Sequence, residues 1–590
     1  MEAVTASQSM PLGTLDQTTS TLIHRPAGPD AQWWRTAVIY QIYPRSFADS
    51  DGDGMGDLPG ITARLPHLAS LGVDAIWLSP FYTSPQHDAG YDVADYREVD
   101  PRFGTLADAD ALIARAHQLG LRVIVDLVPN HTSDEHVWFQ AALASAPGSA
   151  ERNRYIFRDG RGTDGNEPPT NWVSTFGGRA WSRITNPDGT PGQWYLHMFD
   201  THQPDLNWEN EEVRAEFDDV LRFWLDRGVD GFRVDVANGL IKDQEFPDWG
   251  IRTEMVSGQE DTAEDAAEDH AQAPMWDQPG VHEVYRRWRQ VLTGYEGERA
   301  LVAEAWVESL ESLARYVRPD EMHQAFNFDF LCTPWDAARL RASITGGLNS
   351  SDAVGAPTTW VMSNHDVVRA SSRLGLAETG KGPNGIGAED AQPDADLGLR
   401  RARAAALLML ALPGSAYLYQ GEELGLPEHT TLPDDVREDP TFHRTGGEEK
   451  GRDGCRVPLP WEADAPGFGF SATGATWLPQ PAQWAPFARD AQEGVPGSTL
   501  ELYRTALRLR RDFELGAGSL AWVDGLLGGA ESVLAAQNGE VLALVNLGTH
   551  TVPIPEDLPV LLASANLPHA DDGAALLEPD VAVWVQVTQA

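Results

Sequence analysis

Eight short apolar runs recur between residues 37 and 419, and the stretches between many of them carry helical periodicity. No other feature of the chain constrains its fold as strongly. The runs are 37–43, 75–78, 123–128, 231–236, 300–306, 324–330, 358–362 and 415–419. Amphipathic segments such as 61–71, 106–119 and 210–225 lie between them, and 499–512 follows the last. Near-continuous apolar strands alternating with helices belong to a parallel sheet covered on both faces. Eight such units fit a (β/α)8 TIM barrel better than an open doubly wound sheet.

The rhythm breaks after the third strand. Residues 131–205 are rich in Gly, Pro, Asn, Asp and Trp without a long periodic run, and a structureless loop of that length is improbable, so an inserted domain is expected. Beyond 513 the pattern changes to short alternating runs such as 541–545 and 581–585, which predict a C-terminal antiparallel β domain. The expected organisation is a tail over 1–31, a catalytic barrel over 32–130 and 206–513, the insert over 131–205, and the β domain over 514–590. Residues 254–274 are acidic and read as a solvated loop or lid, while 426–497 form a long Pro- and Trp-rich excursion after strand 8.

Against 44 Lys and Arg stand 88 Asp and Glu, a formal net charge of −44. Such a surface repels nucleic acid and anionic membranes and is easier to reconcile with a neutral substrate than a phosphorylated one. Two cysteines, Cys332 and Cys455, are too few for a disulfide framework or a Cys-based zinc site. The N-terminal segment lacks a basic stretch followed by an apolar one, and the longest apolar run, 404–412, is too short to span a bilayer. A cytoplasmic enzyme acting as a monomer or homodimer on a small molecule is the expectation.

Chemistry collects where barrel strands end. Strand 4 ends on Asp235, with Arg233 two residues back on the same face. Strand 5 ends with Glu304 in the apolar setting of Ala303, Ala305 and Trp306. Strand 7 leads into Ser363-Asn-His365-Asp366, and strand 3 carries Asp126 and leads into Asn130-His131. Four strand ends thus offer acids, histidines and an arginine to one mouth, too many to read as independent salt bridges. Two carboxyls across a pocket suit glycoside hydrolysis. Asp235, held ionised by Arg233, suits the nucleophile; Glu304, desolvated, suits the proton donor; Asp366 would steady positive charge on the sugar. Carboxyls on adjacent strands predict the close spacing of about 5–5.5 Å that goes with retention of configuration.

The segments Asp126-Leu-Val-Pro-Asn-His131, Gly231-Phe-Arg-Val-Asp235, Glu304-Ala-Trp and Ser363-Asn-His-Asp366 resemble, in order and spacing, four signature regions of the α-amylase superfamily, glycoside hydrolase family 13. Gln203-Pro-Asp-Leu-Asn207 resembles a fifth, as found in the oligo-1,6-glucosidase and α-glucosidase subfamily. The resemblance covers roughly residues 33–590. It implies Asp235 as nucleophile, Glu304 as acid/base and Asp366 as transition-state stabiliser, with His131, Arg233 and His365 as ligands of the sugar at the cleavage point. It further implies that Asp88 and Tyr91, in Asp88-Ala-Gly-Tyr-Asp-Val, hold the non-reducing glucose, and that Arg452 helps Asp88 close the pocket end. A pocket closed beyond one glucose makes an exo-acting enzyme.

The segment from Asp49 to Asp57 sets Asp49, Asp51, Asp53 and Asp57 at alternate positions among glycines. Uncompensated, these carboxylates repel, so a hard cation is the expected partner. A calcium-sensor loop is excluded because position 12 is Gly60 and no helix precedes the loop. By resemblance to α-glucosidases, the loop holds one structural Ca²⁺, or Mg²⁺ in its place, through Asp49, Asp51, Asp53, the Met55 carbonyl and Asp57.

The leading expectation is a retaining exo-α-glucosidase acting on short α-glucosides. In the resembling subfamily a valine after the nucleophile goes with α-1,6 preference, and Val236 occupies that place. Val236-Ala237-Asn238 departs from the usual α-1,6 pattern, so maltose and isomaltose stand equal. A transglucosylase or a sucrose- or trehalose-type isomerase would use the same machinery, with acceptor-side residues in 242–276 and 426–497 deciding between water and sugar. A catalytically inactive binding module is the third reading; presence of all three carboxylates argues against it.

Overall fold

The computed structural model describes residues 32–186, 188–253, 273–527, 532–571 and 573–587. The tail 1–31 and nearly all of the acidic segment 254–274 lie outside the described residues.

All eight apolar runs form strands: β1 (Val38–Ile42), β2 (Ala75–Leu78), β3 (Arg122–Leu127), β4 (Gly231–Val234), β5 (Ala300–Ala303), β6 (Gln324–Asn327), β7 (Thr359–Val361) and β8 (Ser415–Tyr419). They close into one barrel, each parallel to its sequence neighbours, with β1 joined to β8. Six of the eight strands end before their apolar runs do; β2 and β8 end with theirs. Residues 304–306 leave the ladder after Ala303, and Phe328–Cys332 turns into a short helix in place of extending β6. An apolar run alone does not reveal where a strand leaves its ladder.

The outer helices start on their own side-chain caps. Asp57 accepts the Gly60 N–H ahead of Leu58–Leu71, and Thr105 with Asp108 forms a reciprocal capping box ahead of Leu106–Gln118. Asn210 caps Glu211–Asp226, and Ser498 caps Thr499–Asp512. Gly231 opens β4 for steric reasons, since a Cβ there would meet the Ala300 carbonyl oxygen at 2.4 Å.

After β3 the chain forms a three-stranded antiparallel sheet from Phe157–Arg158, Trp181–Thr185 and Pro191–Leu196. His131 and Asp205 pair as an antiparallel bridge, so this excursion leaves and rejoins the barrel at one place. Its apolar core is aromatic, built on Trp172, Phe176, Trp181, Trp194, Phe199 and Trp276. The last sheet is antiparallel, with Leu520–Trp522, Val533–Asn538, Val541–Asn546, Val581–Gln586 and Val560–Ala563 in that order. Trp584 anchors it by donating to the Leu407 carbonyl at 2.9 Å on the helix Ala395–Ala411. Most tryptophans pack in cores; Trp276 and Trp306 are the two that line the main pocket. Among the described residues no helix is long and apolar enough to cross a membrane.

Candidate active site

Strand register brings the first charged group together. Arg233 lies beside Asp126 of β3, and Val234 beside both Leu127 and Ala303. Asp235 and Glu304 each follow the last residue of their strands and so emerge next to one another. Their backbones still bond inward, Asp235 N–H to the Leu127 carbonyl at 2.9 Å and Glu304 N–H to the Val234 carbonyl at 3.0 Å. The Arg233 guanidinium, 1% exposed, reaches three carboxylates. One nitrogen donates to Asp126 Oδ1 at 2.9 Å and Asp235 Oδ1 at 2.7 Å, and the other lies 2.7 Å from Glu304 Oε2.

Three buried carboxylates on one guanidinium do not all ionise readily. Burial pushes Asp126 up to about 7, with Arg233 opposing and Glu304 reinforcing. Burial likewise pushes Asp235 well above the ordinary carboxylate range; Arg233 opposes, and Glu304 and Asp126 reinforce. Arg233 therefore acts on Asp235 in the expected direction, but burial outweighs it.

Asp366 has the opposite electrostatics. Burial pushes its carboxyl up, yet the Arg452, Arg456 and Arg233 cations together hold it below the usual range. Arg452 and Arg456 approach its Oδ1 at 3.3 and 3.1 Å. His365 is threaded between Gln41 Nε2, 2.7 Å from its Nδ1, and the Tyr91 hydroxyl, 2.6 Å from its Nε2. Burial holds this imidazole well below its ordinary pKa, so it is neutral. Tyr91 also donates to Asp126 Oδ2 at 3.1 Å, which ties the two carboxylate groups together.

The far end of the pocket is an ion-pair wall. Arg452 pairs with Asp88 Oδ1 at 2.7 Å and with Asp439 Oδ2 at 2.5 Å, and stacks over Phe176 with its guanidinium carbon 5.0 Å from the ring centroid. Gln203 donates to Asp88 Oδ2 at 3.1 Å and lies 3.1 Å from His131 Nε2. Burial raises Asp88 to about 6 against Arg452 and Arg456, and burial lowers His131 to about 4.

These groups line one pocket with Thr175, Phe176, Phe199, Val236, Asn238, Thr253, Trp276 and Trp306; its open volume, mouth included, is about 610 Å³. Asp88, Tyr91, His131, Asp235, Glu304, His365, Asp366 and Arg452 all face it, and Arg233 lies directly beneath. Val236 holds a positive φ of 47°, unusual for a β-branched residue, and its N–H donates to Glu304 Oε2 at 3.1 Å. Beside it, buried Lys242 pairs with Asp205 at 2.9 Å and donates to Asn130 Oδ1 at 2.8 Å, fastening the loop after β4 to the base of the insert.

Sequence reasoning left out Asp439, Phe176, Phe199 and Trp276, which sit in long loops without a local pattern. Gln203 opens the quoted Gln203–Asn207 segment and Arg456 follows Arg452 by four residues, and that adjacency is the signal that could have singled them out.

In the acidic loop, ligand atoms of Asp49, Asp51 and Asp57 lie within 4.8 Å of one another. Asp49 sits in a nest of N–H groups, accepting from Gly52 at 2.6 Å and Gly54 at 2.7 Å. Gly52 and Gly54 allow this curl through φ of +89° and +100°. Burial raises the Asp49 carboxyl, and Asp51 and Asp53 push it further. An all-oxygen set of like charge suits a hard dication. Asp53 accepts the Met55 N–H at 2.7 Å and is not part of the close trio, while the Met55 sulfur lies against Arg45.

A model of the α-amylase catalytic domain matches residues 41–515. A probable alpha-glucosidase of Rhizobium meliloti (strain 1021) is 41% identical over 519 residues, 87% of this chain and 88% of that one. The oligo-1,6-glucosidase of Heyndrickxia coagulans is 36% identical over 523 residues, covering 82% and 86%. Among solved structures, the alpha-glucosyl transfer enzyme XgtA superposes with a TM-score of 0.80 at 37% identity, covering 95% of this chain and 100% of that one. Likeness of this extent makes the chain a member of the α-amylase family, glycoside hydrolase family 13, and an α-glucosidase-like enzyme within it.

Proposed function

We propose that the protein is a retaining exo-α-glucosidase that removes glucose from the non-reducing end of short α-glucosides. The observation that carries the reading is the Asp235–Glu304 pair on Arg233, set in a pocket that the Arg452–Asp88 ion pair closes at one end. Asp235 is the nucleophile. Arg233 engages its Oδ1, so Oδ2 is the oxygen that attacks the anomeric carbon. Glu304 is the acid/base. Its Oε2 accepts from both Arg233 and the Val236 N–H, so the transferable proton belongs on Oε1, beside Trp306.

In the first step the Asp235–glucosyl bond forms as the glycosidic bond breaks, and the leaving oxygen takes the Glu304 proton. In the second step Glu304 takes a proton from water, and the resulting oxygen displaces Asp235 from the anomeric carbon. Asp366 remains anionic and steadies positive charge on the sugar, and neutral His131 and His365 offer hydrogen bonds to hydroxyls. The acidic surface favours uncharged glucosides.

Initial rates on maltose, isomaltose, sucrose and trehalose test the reading, with ¹H NMR of early products. The expected result is turnover of maltose or isomaltose with α-glucose appearing first. β-Glucose first, or no turnover of any of the four, would overturn it. Val236, at the pocket wall, is the residue on which the α-1,4 against α-1,6 preference turns.

A second reading has support from one comparison: the XgtA structure is that of an alpha-glucosyl transfer enzyme. Transfer replaces water with a sugar hydroxyl in the second step. Its mark is a rising share of trisaccharide as maltose concentration increases.

One structural Ca²⁺ is proposed for the acidic loop, held by Asp49, Asp51 and Asp57, with Asp53 and the Met55 carbonyl completing the set. Bound there, the ion neutralises the loop that caps helix Leu58–Leu71 through Asp57. Chelation is expected to lower Tm, and Ca²⁺ at about 100 times its Kd to restore about 2.7 kcal/mol. An unchanged melting curve after chelation would count against the site.

A further inference from the structure

Outside the pocket, three side chains from separate segments converge at the rim where the insert meets the barrel. His87 comes from the loop after β2, Asp134 from the start of the insert and His202 from its end. The two imidazoles lie face to face, centroids 3.7 Å apart and planes 9° from parallel. His202 Nδ1 is 2.8 Å from Asp134 Oδ2. One ligand atom from each of the three residues falls within 4.8 Å of the other two.

Backbone bonds hold the three in place. Asp134 N–H donates to the His202 carbonyl at 2.9 Å, and His202 N–H donates to Asp200 Oδ1 at 3.0 Å. His87 N–H donates to Asp92 Oδ2 at 2.8 Å. A second observation concerns the carboxylate. Asp134 Oδ1 is buried and has no hydrogen-bond partner among the described residues, a costly state for an anionic oxygen.

We propose that His87, Asp134 and His202 form a binding site for a borderline transition-metal dication of the Zn²⁺ class. Two imidazole nitrogens and one carboxylate oxygen are the donor set such ions select over Ca²⁺ and Mg²⁺. The ion supplies positive charge beside the buried, unpartnered Asp134 Oδ1, and the two imidazoles would bind it through in-plane ring nitrogens once they leave their stack. Ligand atoms around a tetrahedral ion at about 2.0–2.2 Å lie roughly 3.3 Å apart. Drawing the trio together requires the two rings to unstack, and the exposed His87 ring has the room to turn. That exposure leaves the fourth position to water. The acidic loop, by contrast, offers oxygen alone and selects the opposite class of ion.

The site stands directly behind the pocket end. His87 precedes Asp88 and His202 precedes Gln203, and Asp88 and Gln203 are joined at 3.1 Å. An ion here therefore clamps the barrel loop to the insert without entering the pocket.

The test is calorimetric titration of Zn²⁺ into the chelator-treated full chain in excess Ca²⁺, with Co²⁺ visible absorption as a second readout. One equivalent is expected, with a Kd on the order of 1 μM, and Co²⁺ bands of a four-coordinate nitrogen–oxygen site. His87→Asn and His202→Asn should each weaken binding by roughly 10–100-fold and remove the bands. Melting curves and near-ultraviolet circular dichroism establish that each variant is folded. Absence of a one-equivalent Zn²⁺ event in the wild type would overturn the proposal. So would folded variants that keep both the stoichiometry and the bands. Neither readout depends on catalytic turnover, so the outcome is independent of the glucosidase reading.

Discussion

Replacing Asp235 with asparagine is expected to lower kcat by a factor on the order of 10⁵ while leaving the pocket able to bind a glucoside. The amide cannot form the covalent glucosyl intermediate, and Arg233 loses one of the three carboxylates it now serves. Stability should not suffer. Burial and the neighbouring Glu304 and Asp126 raise the Asp235 carboxyl, so its ionised form is one the fold disfavours. For a group whose folded pKa is raised, the stabilising contribution is present at low pH and is lost as pH rises through the folded value. A neutral asparagine removes that loss, and Tm near neutral pH should be equal to or above that of the wild type. Single-turnover kinetics and a thermal melt check both halves. Residual turnover within about 100-fold of wild type would rule out the nucleophile assignment; a marked fall in Tm would contradict the electrostatic account.

Arg452→Leu is expected to have the largest combined effect on stability and substrate use. The guanidinium is buried among Asp88, Asp439 and Asp366, of which Asp366 also pairs directly with Arg456. Removing one partner from a buried pair costs about 3–5 kcal/mol, because the remaining charges stay desolvated. A fall in kcat/KM of roughly 10²–10³ accompanies it as the pocket end loses its fixed wall.

The pH dependence has a definite sign. Asp88 is raised to about 6 by burial, with Arg452 the leading opposing influence. Without Arg452 its pKa climbs, so the acidic limb of kcat/KM moves to higher pH. Arg452→Lys keeps the charge but loses the planar fork, and should recover stability more fully than catalysis. A variant with wild-type KM and an unmoved acidic limb would remove Arg452 from the pocket.

Much of the site was legible in the sequence because barrel geometry reduces it to a question about strand ends. Asp235 and Glu304 close apolar runs, and a charged residue at such a place has few uses besides chemistry at the mouth. His131, His365 and Asp366 followed by the same rule. The pocket end was less open to this reading. Arg452 and Asp88 are 364 residues apart, and Asp439 caps the helix Pro440–Arg444, too short to carry a periodic signature. Only resemblance pointed to the first two, and nothing pointed to the third.

What the sequence by itself determined is the succession of strands and helices, and with it which carboxylates reach a common mouth. Hydrophobic periodicity is local, so it can be read one segment at a time. Tertiary structure alone decided the electrostatic character of each acid. Asp235 and Asp366 are both buried aspartates after barrel strands, yet one is pushed up and the other held down. The difference lies in the count of neighbours: three carboxylates share Arg233, whereas Arg452 and Arg456 both converge on Asp366. Charge interactions depend on distances between segments far apart in the chain, and those distances exist only once the barrel has closed.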